Sequence, residues 1–306
     1  MKSILEAEMS DGHFIHVVKY MPEQVPIGHV HIVHGMAEHI ARYDEFALFL
    51  VSRGFIVSGH DHRGHGNTAA KNGQLGYFAD SNGFERVTED VREVLGKVRE
   101  DITDVPLILF GHSMGSFITR RYMQKYSDSL SKVVICGTGY SQGLLGSLGE
   151  VVSKVSGKLQ TPKTESKLMN QLSFGGFNKQ FKDAKTPFDW LNSDEAEVKK
   201  YADDPMCGFI PSNQFYADLL YGIKTVHKTG EINRIRKDLP VFIISGAQDP
   251  VGNNGKDIFK VAKGLTNAGM KNVTVQLVEN ARHEILLEKN KLDTFDTVAK
   301  WLMHNE

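Results

Sequence analysis

Residues 107–116 read LILFGHSMGS. A short apolar run enters Gly111–His112–Ser113–Met114–Gly115, and the segment MGSFITRRYMQKY follows with helical period. Gly-x-Ser-x-Gly between a buried strand and a helix is the spacing of a sharp elbow that holds a serine hydroxyl clear of its own backbone. The elbow packs its helix tightly on its strand, so residues two before and two or three after the serine must be small. Gly111, Gly115 and Ser116 meet that demand. The same spacing recurs in Gly139–Tyr140–Ser141–Gln142–Gly143, but there the following residue is the bulky Leu144. That stretch is separated from its apolar run by Gly137 and Thr138, and no convincing helix follows directly. Ser113 is therefore the expected nucleophile and Ser141 a loop residue.

The rest of the chain supplies a frame for such an elbow. Apolar runs recur at 29–33, 55–59, 106–110, 132–136, 240–245 and 273–278. Segments of helical period lie between most of them, such as ARYDEFALFLVSRG, RVTEDVREVLGKVRE and LDTFDTVAKWL. Strand alternating with helix predicts a mostly parallel, doubly wound α/β sheet, and near-continuous apolar strands fit burial on both faces. Residues 13–19 alternate more clearly and read as an antiparallel edge strand. The rhythm breaks over 140–214. We expect residues 1–139 and 215–306 to form the core and 140–214 to form a mainly helical cap over the C-terminal edge of the sheet, the edge where open α/β sheets place ligands.

Composition narrows the function classes. The chain has 306 residues, 41% hydrophobic and 24% charged, with a formal net charge of −1. That balance provides no basic field for nucleic acid. Two cysteines suit a reducing compartment, with Cys136 an inert buried thiol. The opening MKSILEAEMSDGHF lacks the apolar core of a secretory signal, and no run approaches the ~20 apolar residues that span a bilayer. A cytoplasmic protein is expected, with peripheral membrane contact open.

A serine hydroxyl needs a base, and the base an orienting acid. In elbow enzymes the chain order is serine, acid, histidine. Of the histidines after Ser113, His304 lies on the terminal tail and His227 in a polar helical stretch. His283 follows the run VTVQLV across a short loop, at the working edge of the sheet. Asp249, in GAQDP after the run PVFIIS, leaves the same edge one strand earlier. The oxyanion formed by attack needs two N–H donors. They are expected from Met114, the residue after the serine, and from Met36, in the loop HIVHGMAEH where His34–Gly35 turns the chain.

Seven of the thirteen histidines fall between 29 and 65. The run His60–Asp61–His62–Arg63–Gly64–His65 approaches the metal-binding pattern HxHxDH, but Gly64 stands where the second aspartate belongs, and HExxH is absent. We read it as a loop beside the site in which Asp61 and Arg63 pair, with no metal, and His112 as a pocket residue rather than a base.

HGMAEHIARYDEFALFLVSRGF, GHDHRGHGNT, LILFGHSMGS, YADDPM, SGAQDP and ARHE together resemble the monoacylglycerol lipase and lysophospholipase branch of the α/β-hydrolases. The likeness is strong over 29–68 and 106–125 and thin over 140–200. Ser116 departs from the glycine common at the elbow's end, and Asn67–Thr68 from the serine that often closes the GHG loop. The resemblance implies hydrolysis of esters of single acyl chains, with no cofactor, by Ser113, Asp249 and His283, with Met36 and Met114 at the oxyanion. For the small acyl ester, a substrate pocket is expected from Gly35, His112, Leu144, Leu148, Phe174 and Phe177. Leu144 and Leu148 begin a stripe, 144–159, at helical spacing that packs on the core, lines an acyl channel, or makes transient contact with a membrane or micelle. Oligomeric state has no signal.

Overall fold

The computed structural model describes residues 1–102, 104–140 and 162–304. Eight strands form one sheet: β1 (Lys2–Glu8), β2 (Phe14–Tyr20), β3 (Gly28–Val33), β4 (Phe55–His60), β5 (Leu107–His112), β6 (Lys132–Cys136), β7 (Val241–Gly246) and β8 (Val273–Val278). Their order is β1-β2-β4-β3-β5-β6-β7-β8. β2 runs antiparallel to β1 and β4, and β3 to β8 are parallel. The expected α/β sheet is thus present, and every residue of β3, β4, β5 and β7 is buried.

Alternation along these strands builds two cores. Leu107, Leu109, Val133, Ile135, Val241 and Ile243 face one layer. Ile108, Phe110, Val134, Cys136, Phe242 and Ile244 face the other. Period-2 side chains on a sheet covered on both sides give this division by residue parity. The first layer includes side chains of the helices Gly83–Val98, Met114–Tyr126, Asn213–Val226 and Lys256–Asn267; the second, those of Asp44–Ser52 and Lys291–Met303.

The edge-strand reading needs correction. Residues 14–20 form the second strand, and the edge is β1, paired with β2 along its whole length from Lys2↔Tyr20 to Glu8↔Phe14. β1 is mostly exposed and carries Lys2, Glu6 and Glu8, charges that keep a free edge from pairing further and that blur its apolar alternation. No described helix is long and apolar enough to cross a membrane.

Between β6 and β7 the described residues hold no strand, only an isolated bridge between Glu165 and Ser212. This stretch contains the helices Lys167–Phe174, Glu195–Asp203 and Asn213–Val226. Ser141, Leu144, Leu148 and the rest of the 144–159 stripe lie outside the described residues.

Candidate active site

β5 ends at His112, and the chain turns at Ser113 into the helix Met114–Tyr126. Ser113 has φ 53° and ψ −120°, a backbone state rare for a residue with a Cβ. Its surroundings enforce it. The Ser113 N–H donates to Cys136 O at 2.9 Å, and the Ser113 carbonyl accepts from the Ser116 N–H at 2.9 Å. The Ser116 hydroxyl donates to that carbonyl as well, at 2.6 Å, so the departure from glycine adds a hydrogen bond to the elbow. A Cβ on Gly111 would collide with the Thr119 side chain, and one on Gly115 with the carbonyls of Val33 and His34. The glycines are there because helix, β5 and the loop after β3 touch at those points.

β7 and β8 deliver the partners to the same edge. His283 Nδ1–H donates to Asp249 Oδ2 at 2.9 Å. Asp249 also accepts from the Ser245 hydroxyl at 3.1 Å and, through Oδ1, from the Val251 N–H at 2.8 Å. Asp249 and His283 are 0% and 1% exposed, so the bond lies out of reach of solvent screening. With Nδ1 committed, Nε2 is the free ring nitrogen, and it is buried with no partner among the described residues. Ser113 and His283 line one cavity of about 340 Å³, with Gly35, Met36, His112, Met114, Phe174 and Phe177 also in its wall. Every described residue expected at the site lies there or, for Asp249, directly behind His283.

The loop after β3 brings Met36 to the cavity. Ala37 is left-handed, φ 53°, and its carbonyl accepts from the Tyr201 hydroxyl and the Gly208 N–H, both at 2.9 Å. The Glu38 carboxylate folds back to accept the Gly35 N–H at 2.5 Å and the Tyr43 hydroxyl at 2.9 Å. The Met36 N–H has no acceptor among the described residues, and the Met114 N–H heads a helix whose first-turn donors have no intrahelical partner.

Charge is unusually deep here. Arg42 bonds Glu38 at 2.9 Å and grips both oxygens of Glu284, at 2.5 and 2.9 Å. His112 sits between Glu38, 3.3 Å from Nδ1, and the His283 carbonyl, 3.3 Å from Nε2. Burial opposes an imidazolium at His112, but the Glu38 carboxylate outweighs it and the pKa is raised. Burial likewise opposes the Glu38 anion, yet His112 and Arg42 hold its carboxyl well below the usual range. His112 is a pocket residue, as expected, and an anchor for the backbone of His283.

The Asp61–Arg63 pair is not formed. Arg63 bonds Asp90 through Nε at 2.6 Å and Nη2 at 2.9 Å, with Asp11 beyond. Asp61 instead accepts the backbone N–H groups of Ile40 at 2.8 Å and Asn67 at 2.7 Å. A carboxylate can tie two loops by their amides as well as by a salt bridge, and spacing two apart in a turn does not distinguish these. The histidines of this region form a buried chain: His29 and His31 share the Ser58 hydroxyl, and His31 Nε2 meets His60 Nδ1 at 3.0 Å.

Sequence reading missed several cavity residues. Trp190 is 5.2 Å from the His283 ring between centroids, and Phe174 and Phe177 pack on it at 5.8 and 4.9 Å. Tyr216, Leu219, Leu220 and Ile223 also line the cavity. Their spacing of i, i+3, i+4 and i+7 was a legible apolar stripe; its destination was not. Phe181 lies apart, under the Arg282 guanidinium at 4.0 Å.

A serine elbow at the end of a central parallel strand, with a histidine–aspartate pair carried on the next two, defines a serine hydrolase of the α/β-hydrolase fold. Within that class, residues 24–290 match the sequence model of the family described as serine aminopeptidase, S33, and the chain belongs to that family. A monoacylglycerol lipase of Mycolicibacterium smegmatis is 26% identical over 93% of this chain and 91% of its own. The mouse monoglyceride lipase is 23% identical over 96% of this chain and 88% of its own. Among solved structures, a thermostable carboxyl esterase from Bacillus coagulans superposes with a TM-score of 0.90 at 29% identity, covering 98% of this chain and 96% of that one.

Proposed function

We propose that the protein hydrolyses carboxylic esters bearing one acyl chain, of the monoacylglycerol or lysophospholipid type, through an acyl-enzyme on Ser113. His283 Nε2 takes the Ser113 Oγ proton as Oγ attacks the acyl carbonyl. Asp249 holds the tautomer and stabilises the imidazolium. The carbonyl oxygen gains its charge toward the N–H groups of Met36 and Met114. His283 then gives the proton to the departing alkoxide, leaving acyl-serine. Water, deprotonated by the same nitrogen, releases the acid and restores the hydroxyl. The observation that carries this reading is the buried, unpartnered Nε2 of a histidine fixed by Asp249, in the wall of the cavity that Ser113 enters.

The mainly aromatic and aliphatic wall supports an acyl chain as the occupant, and the relatives' lipase names point the same way. In this reading residues 140–214 form a cap. The exposed Leu168 and Leu172, on the helix Lys167–Phe174 with Lys167 beside them, make transient contact with a lipid surface. The test is a panel of glycerol monoesters from acetyl to palmitoyl. Burying each methylene is worth up to ~0.8 kcal/mol, about fourfold in kcat/KM. The rate constant should climb with chain length and then level. Activity that falls beyond butyryl would reassign the protein to small esters.

A further inference from the structure

A second cavity, of about 280 Å³, lies away from Ser113 among the helices Met114–Tyr126, Asn213–Val226 and Lys256–Asn267. Its wall includes Arg120, Gln124, Tyr140, His227 and Lys260, and no carboxylate lines it. Arg120 is 4% exposed. Its guanidinium makes only two long contacts, from Nη1 to Thr138 Oγ1 at 3.4 Å and to Gly139 O at 3.3 Å, with the Phe117 ring 5.7 Å away. Among the described residues no acid pairs with it. The other deeply buried arginines are different: Arg42 and Arg63 each hold carboxylates.

A buried guanidinium without a counter-charge is costly, and burial pulls Arg120 down to about 9, with only Tyr140 opposing. Lys260 adds a second cation at the wall, half exposed and shared with Asp257 at 2.8 Å. His227 donates Nδ1–H to Ile223 O at 2.7 Å, and burial first, then Arg120, pull it down to about 3, so it is neutral. The volume is just below the ~300–1,000 Å³ usual for small-molecule sites, and Met123, Val226 and Val261 provide apolar wall.

We infer that this cavity is an anion site, in which Arg120 and Lys260 take the phosphate or carboxylate head of a small organic anion and the apolar wall takes a few carbon atoms. Arg120 stands seven residues after Ser113 on the same helix and bonds the loop that leaves β6. Occupancy therefore braces the helix behind the elbow and the start of the 140–214 segment. The inference does not depend on which ester is cleaved.

The test is thermal denaturation and titration calorimetry of the intact protein with inorganic phosphate, glycerol 3-phosphate and butyrate, at constant ionic strength against chloride. At least one of the three should raise Tm saturably, and the preferred one separates a phosphate from a carboxylate source. Arg120→Met should weaken that binding at least about tenfold, the loss of one charge-assisted contact, and should by itself unfold at a higher temperature than the parent without anion, because the uncompensated charge is gone. Lys260→Met should weaken binding about threefold and covers the case in which Arg120→Met does not fold. No stabilisation over chloride by any of the three, or binding unchanged in either variant, overturns the assignment and leaves Arg120 as a tie for residues 138–139.

Discussion

Asp249 Oδ2 accepts the Nδ1–H of His283 at 2.9 Å, and neither side chain has measurable contact with solvent. The two arrive on consecutive strands, 34 residues apart, and the Val251 N–H and the Ser245 hydroxyl fix the carboxylate from two further directions. A carboxylate so held can keep only one tautomer of the imidazole. Asp249→Asn should therefore fold as the parent does, by circular dichroism and melting temperature, while kcat for a glycerol monoester falls by roughly 10⁴, the size seen when the corresponding acid of a serine protease is neutralised. Near-parental turnover would place the orienting acid elsewhere.

Gly115 tests the elbow's packing rather than its chemistry. A Cβ there meets the carbonyls of Val33 and His34, neither of which is the mobile end of a side chain. Gly115→Ala should cost about 1–3 kcal/mol in denaturant unfolding, the usual range for overpacking. It should also lower kcat, because the displaced loop carries Met36. A variant as stable and as active as the parent would show that helix and loop are less closely packed than described.

The elbow was legible because its requirements are local: a serine in a left-handed turn and glycines where backbone meets backbone, all within five residues. The central strands were legible because burial on both faces leaves an unbroken apolar run. β1 was not, since an edge strand with one wet face and alternating charges resembles a loop. Nor was the partner of Arg63, which is Asp90, 27 residues away, rather than Asp61 two residues away. Distant ion pairs depend on how helices dock, and no spacing rule encodes that. Trp190 and the stripe from Tyr216 to Ile223 were visible as apolar residues, but only the folded segment shows that they face His283 and Ser113.

Acid should unfold the protein early. Burial pulls His29 and His60 down to about 3 and His65 to about 4, against about 6.5 in an unfolded chain. The unfolded state then binds protons that the fold refuses. Their stabilising contribution is complete above pH 6.5 and is lost as pH falls through 6.5 toward those lower values, at about 2 kcal/mol per histidine by pH 5. Denaturation midpoints measured from pH 8 to pH 4 should be level down to about 6.5 and then drop steeply. A flat profile down to pH 5 would mean that these rings are charged or hydrated in the fold.

Arg42 joins Glu38, which holds Gly35, to Glu284, next to His283. Arg42→Met leaves two buried carboxylates without a cation, a loss of about 3–5 kcal/mol for breaking such a pair from one side. Chemical denaturation measures it. A change below 1 kcal/mol would mean that water already reaches these carboxylates.

The central claim is that Ser113 is the nucleophile and Ser141 is not. Labelling with a fluorophosphonate probe, with the modified peptide read by mass spectrometry, decides it. The parent and Ser141→Ala should both carry one adduct on the peptide containing Ser113, and Ser113→Ala should carry none. An adduct on Ser141 that persists in Ser113→Ala would contradict the account.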